Sequence, residues 1–164
     1  MRDERGRQVA VIGSGRLESG ADLIPLAKEV GRLLAEAGAV VVCGGRGGVM
    51  EAASRGAAEA GGTVIGVLPE HSLDDANPYC THVIATGVGQ ARNLAVVSSG
   101  EVVIAVGGEW GTLSEIGLAR AIGRSVIALR SWTLRGYDRM EGAPGVLPVE
   151  TAEEAVAAAL AALG

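Results

Sequence analysis

Short, mostly apolar runs alternating with stretches of helical periodicity, several joined by glycine, set the strongest limit on what this chain can fold into. The runs fall at 9–15 (VAVIGSG), 39–43 (AVVVC), 63–69 (TVIGVLP), 81–86 (THVIAT), 101–106 (EVVIAV) and 125–129 (SVIAL). Continuous runs of this length suit strands buried on both faces, the condition of a parallel sheet covered by helices. Between the first two runs, Leu23, Ile24, Leu26, Ala27, Val30, Leu33, Leu34 and Ala37 recur at helical spacing, and Gly38 stops the helix. Further helices are predicted over about 49–60, 90–99, 112–123 and 151–163, the last opened by a T-x-x-E capping box of Thr151 and Glu154. The polar stretch 70–80 reads as a loop, and 130–145 is irregular by pattern. The alternation predicts an α/β fold: a Rossmann-like, doubly wound, mainly parallel sheet with helices on both faces in three layers. Neither a linker nor a repeat interrupts it, so 1–164 is read as a single domain.

Composition enters as a bound. With two Trp, two Tyr and no Phe, the core must be built from Val, Ile, Leu and Ala. A net charge of −5 offers no basic face, so no nucleic-acid partner is expected. The apolar runs are too short to span a membrane, and the charged start MRDERGRQ lacks a signal-peptide core. Cys43 and Cys80 follow no metal or redox spacing, and His71 and His82 lack partners at metal spacing, so no metal site is expected. These readings together predict a cytoplasmic protein with reduced thiols.

Three strands end in glycine-rich turns that feed helices. Gly13 and Ser14 follow the first, Gly44, Gly45 and Arg46 the second, and Gly108, Gly111 and Thr112 the fifth. Each turn can aim unpaired N–H groups and a helix dipole at one cleft, an arrangement that suits phosphate or carboxylate. In open parallel sheets that cleft lies outside the carboxyl ends of the strands, where strand order reverses. The usual nucleotide fingerprints are absent: the first turn lacks the third glycine of G-x-G-x-x-G, and no G-K-S/T follows any turn. For each turn taken alone, tight chain reversal explains the glycine as well as a ligand does.

The segments GGRGGVMEAASRGAAEAGGTVIGVLP (44–69), ARN (91–93) and GGEWGTLSE (107–115) resemble the LOG ("lonely guy") superfamily, once mislabelled as lysine decarboxylases. The resemblance covers roughly 9–129 and is nearest the branch of molybdenum-cofactor carrier proteins. It implies a Rossmann-like homodimer that binds a small, phosphorylated, nucleotide-like ligand. In the family's phosphoribohydrolases a P-G-G-x-G-T-x-x-E motif supplies phosphate-binding amides and a catalytic Glu, completed by an upstream Arg. Those positions correspond to Glu115 and Arg92 here, which are expected to face one cleft and interact. Two departures separate this chain from the hydrolases: the family's M-H-x-R-K stands as Gly89-Gln90-Ala91-Arg92-Asn93, and a motif glycine is replaced by Glu109.

The resemblance therefore leaves two principal functions open. One is binding of a phosphorylated nucleotide-like or pterin ligand, with molybdenum cofactor (molybdopterin) as the cofactor held and none needed for folding. The other is hydrolysis of the N-glycosidic bond of a nucleoside 5′-monophosphate, with Arg92 and Glu115 catalytic. A sensor that binds a nucleotide without chemistry is a third. Pyridoxal-phosphate lysine decarboxylation is not expected, because the single lysine, Lys28, sits in the first helix away from every glycine turn.

Overall fold

The computed structural model describes residues 6–16, 21–135 and 145–164. The apolar runs form strands β1 (Gln8–Gly13), β2 (Val40–Cys43), β3 (Val64–Leu68), β4 (His82–Ala85), β5 (Val102–Val106) and β6 (Ser125–Leu129). Helices α1 (Leu23–Glu36), α2 (Val49–Glu59), α3 (Arg92–Ser99) and α4 (Trp110–Ala121) connect them, and α5 (Ala152–Leu163) closes the chain. A seventh strand, β7 (Val146–Val149), precedes α5. Every pairing is parallel, in the order β4-β3-β2-β1-β5-β6-β7.

Alternation along the strands divides the core in two. Val9, Val11, Val41, Ile104 and Val106 pack with α1, α2 and α5 on one side. Ala10, Ile12, Val42, Val103 and Ala105 pack with Val96 and Val97 of α3 and Ile116 and Ala119 of α4 on the other. All five residues of β5 are buried, as a strand at the middle of a doubly covered sheet must be. The predicted α/β class, parallel sheet and two helical layers are all present. Among the described residues no helix is long and apolar enough to cross a membrane.

Two elements differ from the sequence expectation. Strand β7 was not predicted: its four residues include Pro148, which has no N–H to give to a ladder. It forms because it is an edge strand, with β6 as its sole neighbour among the described residues, registered from Val126 opposite Val146 to Leu129 opposite Val149. Helix α4 begins at Trp110 rather than at 112, because Glu109, extended at φ −107 and ψ −163, is its N-cap. Gly111 and Thr112 therefore belong to the first helical turn, where N–H groups have no partner within the helix.

Candidate anion-binding cavity

The sheet order dictates where a crevice opens. From β1 the chain steps outward to β4, then returns to β5 on the other side of β1, so strand order reverses between β1 and β5. A cavity of about 570 Å³ lies at the carboxyl end of this pair, lined by Gly13, Ser14, Gly15 and Arg16 after β1, Gly44, Arg46 and Gly47 after β2, and Met50 of α2. Gln90, Arg92 and Asn93 around the start of α3, and Glu109, Gly111, Thr112 and Glu115 around the start of α4, complete much of the wall.

The first two turns are tied together. The Val49 N–H, at the start of α2, donates to the Ser14 carbonyl at 3.0 Å. The Ser14 hydroxyl accepts from the Arg16 N–H at 3.1 Å, so it organises its own turn. Behind the second turn, Asn77 is buried; its Nδ2 donates to the Arg46 carbonyl at 3.0 Å and its backbone N–H to the Gly45 carbonyl at 2.8 Å. The Arg46 side chain pairs with Glu70, just past the end of β3. The second oxygen of Glu70 is buried with no hydrogen-bond partner.

Arg92 is the first residue of α3 and only 7% exposed. Its guanidinium lies against Gly44, where a Cβ would collide with it and come within 2.5 Å of Met50 Sδ. Arg92 Nε is buried and has no hydrogen-bond partner. Glu115, one turn into α4, is 8% exposed. Burial pushes its carboxyl up to about 7, against the downward pull of Arg92. Burial likewise lowers the Arg92 pKa from the usual arginine value, with Glu115 opposing. The two groups act on each other through space across one cavity, and among the described residues they make no direct ion pair.

Of the residues singled out from sequence, Gly13, Ser14, Gly44, Arg46, Arg92, Gly111, Thr112 and Glu115 line this cavity. Gly45 and Gly108 are outside its lining. Gly45 belongs to the second turn but points its N–H back to the end of β2, donating to Cys43 Sγ at 3.3 Å. Gly108 holds φ +116 with the Thr112 side chain packed where its Cβ would be, so it serves the turn by letting α4 start close by. Lys28 is far from this chemistry, in an ion pair with Glu59 Oε2 at 2.7 Å. Sequence reasoning missed Arg16, Met50, Glu70 and Asn77. The place of Glu70 past a strand's carboxyl end, and the turn-forming Asn77-Pro78 pair, were the available signals. Among the described residues, no three His, Cys, Asp or Glu side chains converge to hold a metal ion.

The chain is 34% identical to the molybdenum cofactor binding protein of the phototrophic bacterium Rippkaea orientalis, with a TM-score of 0.87 over 98% of this chain and 99% of that one. It is 33% identical to the molybdenum cofactor carrier protein of Chlamydomonas reinhardtii, with a TM-score of 0.82 over 97% and 99%. A protein of Archaeoglobus fulgidus is 40% identical over 149 residues, 91% of each chain. Two further structures overturn the exclusion of nucleic acid that was drawn from net charge. The DNA processing protein A of Helicobacter pylori, described for its single-stranded DNA binding mode, matches with a TM-score of 0.68 at 21% identity over 94% of this chain and 80% of that one. That of Streptococcus pneumoniae matches with a TM-score of 0.69 at 22% identity over 93% and 61%. At such identity the likeness carries the fold alone, but it removes the argument: net charge is a sum over the molecule, and a nucleic-acid contact is local. The model of the SLOG cluster4 family matches residues 6–156. The chain belongs to that family, within the LOG-like superfamily and closely related to its molybdenum-cofactor-carrier branch.

Proposed function

We propose that this protein binds a phosphorylated pterin- or nucleotide-type ligand in the cavity at the β1/β5 switch and acts as a carrier of the molybdenum-cofactor type. The observation that carries the reading is Arg92: an arginine more than nine-tenths buried, with a buried, unpartnered Nε, lining a cavity walled by three glycine turns. A buried cation with spare donors is costly unless an anion completes it. The donor set fits a phosphorylated pterin. Arg92 and the first-turn N–H groups of α4 would hold its anionic end, with Arg46 and Met50 flanking the remainder. What such a cofactor supplies is the redox chemistry of its metal; the residues here hold and orient it.

The relatives described as molybdenum cofactor binding and carrier proteins support the same reading. We further infer a homodimer working in the cytoplasm. The exposed positions of α3 and α4 on their outer side, including Leu94, Ala95, Ser98, Gly111, Ser114 and Gly117, carry no charge, and both cysteines are free thiols.

Native mass spectrometry of freshly purified protein tests the reading. A co-purified species with the mass of a phosphorylated pterin is expected, and Arg92→Ala should weaken its retention about ten- to a hundredfold, the loss of one charge-assisted contact. Release of free base from AMP by the wild type, abolished in Glu115→Gln, would instead make the protein a phosphoribohydrolase.

A further inference from the structure

After β6 the chain doubles back over the turn that starts α4. Ser131 Oγ donates to the Gly107 carbonyl at 2.5 Å, and Trp132 Nε1 donates to the Glu109 carbonyl at 3.2 Å. The Glu109 carbonyl also accepts from the Leu113 N–H at 3.0 Å, so it is fixed from both sides. At the root of this strap, Arg130 holds φ +46, the only positive φ among the described non-glycine residues, and its guanidinium pairs with Asp22 at 3.0 Å. A residue kept in that conformation is held there by its surroundings.

The consequence follows from peptide geometry. In a trans peptide the C=O and the next N–H point in opposite directions. Pinning the carbonyls of Gly107 and Glu109 on the strap therefore turns the N–H groups of Gly108 and Trp110 away from it and fixes the turn that leads into Gly111 and Thr112 of the cavity wall. We propose that Ser131 and Trp132 are positioning residues for the anion-binding turn: they fix its two peptide planes before a ligand arrives, so that its donors need no reorganisation on binding. This rests on the reading that a phosphorylated ligand occupies the cavity.

Titration calorimetry with inorganic phosphate and with AMP as probes tests it. Trp132→Phe keeps a ring beside Trp110 and removes only the donor, and Ser131→Ala removes the hydroxyl; Ser131→Thr keeps it. The expected result is an affinity about five- to tenfold weaker for Trp132→Phe and Ser131→Ala, and restored in Ser131→Thr, with melting temperatures close to wild type. The loss should appear in the entropy of binding, since the turn must then order on the ligand. If wild type binds either probe and the variants bind it equally well, the positioning role is wrong and the cavity reading stands. If wild type binds neither probe, both fall. Should Ser131→Ala not fold, Trp132→Phe and Ser131→Gly carry the same comparison.

Discussion

A carboxyl that titrates close to pH 7 changes what an anion site can do. Glu115 reaches a pKa of about 7 because it is buried, and Arg92 only partly offsets that burial. An anion beside it should raise the pKa further, so binding takes up a proton and strengthens as pH falls. Phosphate or AMP should therefore bind about tenfold more tightly at pH 6 than at pH 8, after the phosphate's own titration is subtracted through Glu115→Gln, which lacks the added slope. A wild-type profile parallel to that of the variant would refute this. Stability has a matching sign. The unfolded carboxyl ionises near 4.5 and the folded one near 7. The folded state binds more protons between those values, so stability falls as pH rises through that window, by about 3 kcal/mol at most. Glu115→Gln should thus melt higher than wild type at pH 8 and about equally at pH 5. Arg92 and Glu115 were legible from sequence because a motif carries them. Asn77 and Glu70 were not, since they act by holding the second turn from a neighbouring loop, and no local pattern records a contact across 31 residues.

At the scale of elements, Thr151 shows how directly sequence can specify a helix start. Its hydroxyl accepts from the Glu154 N–H at 3.2 Å, and the Glu154 carboxylate accepts from the Thr151 N–H at 3.3 Å and the Glu150 N–H at 2.9 Å. Thr151→Ala should cost about 1 kcal/mol, and thermal melting should fall by about 2–4 °C. Among the described residues the other α-helices start without a side-chain cap; α4 begins at an extended Glu109, and its first turn holds Gly111 and Thr112 of the cavity wall. That contrast is why the start of α5 was legible to the residue and the start of α4 was not. The strands were found wherever Val and Ile run together. β7 escaped because Pro148 argues against a strand unless its place at the sheet edge is already known. Of the segment that was read as irregular, 136–144 lies outside the described residues.

For the molecule as a whole, the strand order β4-β3-β2-β1-β5-β6-β7 brings turns separated by nearly a hundred residues to one crevice. The class of fold was readable from alternation alone. The order of the strands was not, because every crossover is compatible with the same local pattern. The uncharged outer side of α3 and α4 bears on assembly at the same scale. Sedimentation should give a dimer at micromolar concentration, and Leu94→Glu, at a position 44% exposed in the single chain, should shift it to monomer. A monomeric wild type at that concentration would count against the interface.

The tryptophan pair has an optical consequence. The chain has two tryptophans, and their rings lie 5.1 Å apart, centroid to centroid, at the turn that opens α4. Trp110 is 75% exposed, while Trp132 is partly covered and bonded to the turn's backbone. Intrinsic emission excited at the red edge of protein absorbance therefore comes from one spot, undiluted by indoles elsewhere. A shift in its wavelength or intensity on adding a ligand reports on that turn directly, without a label.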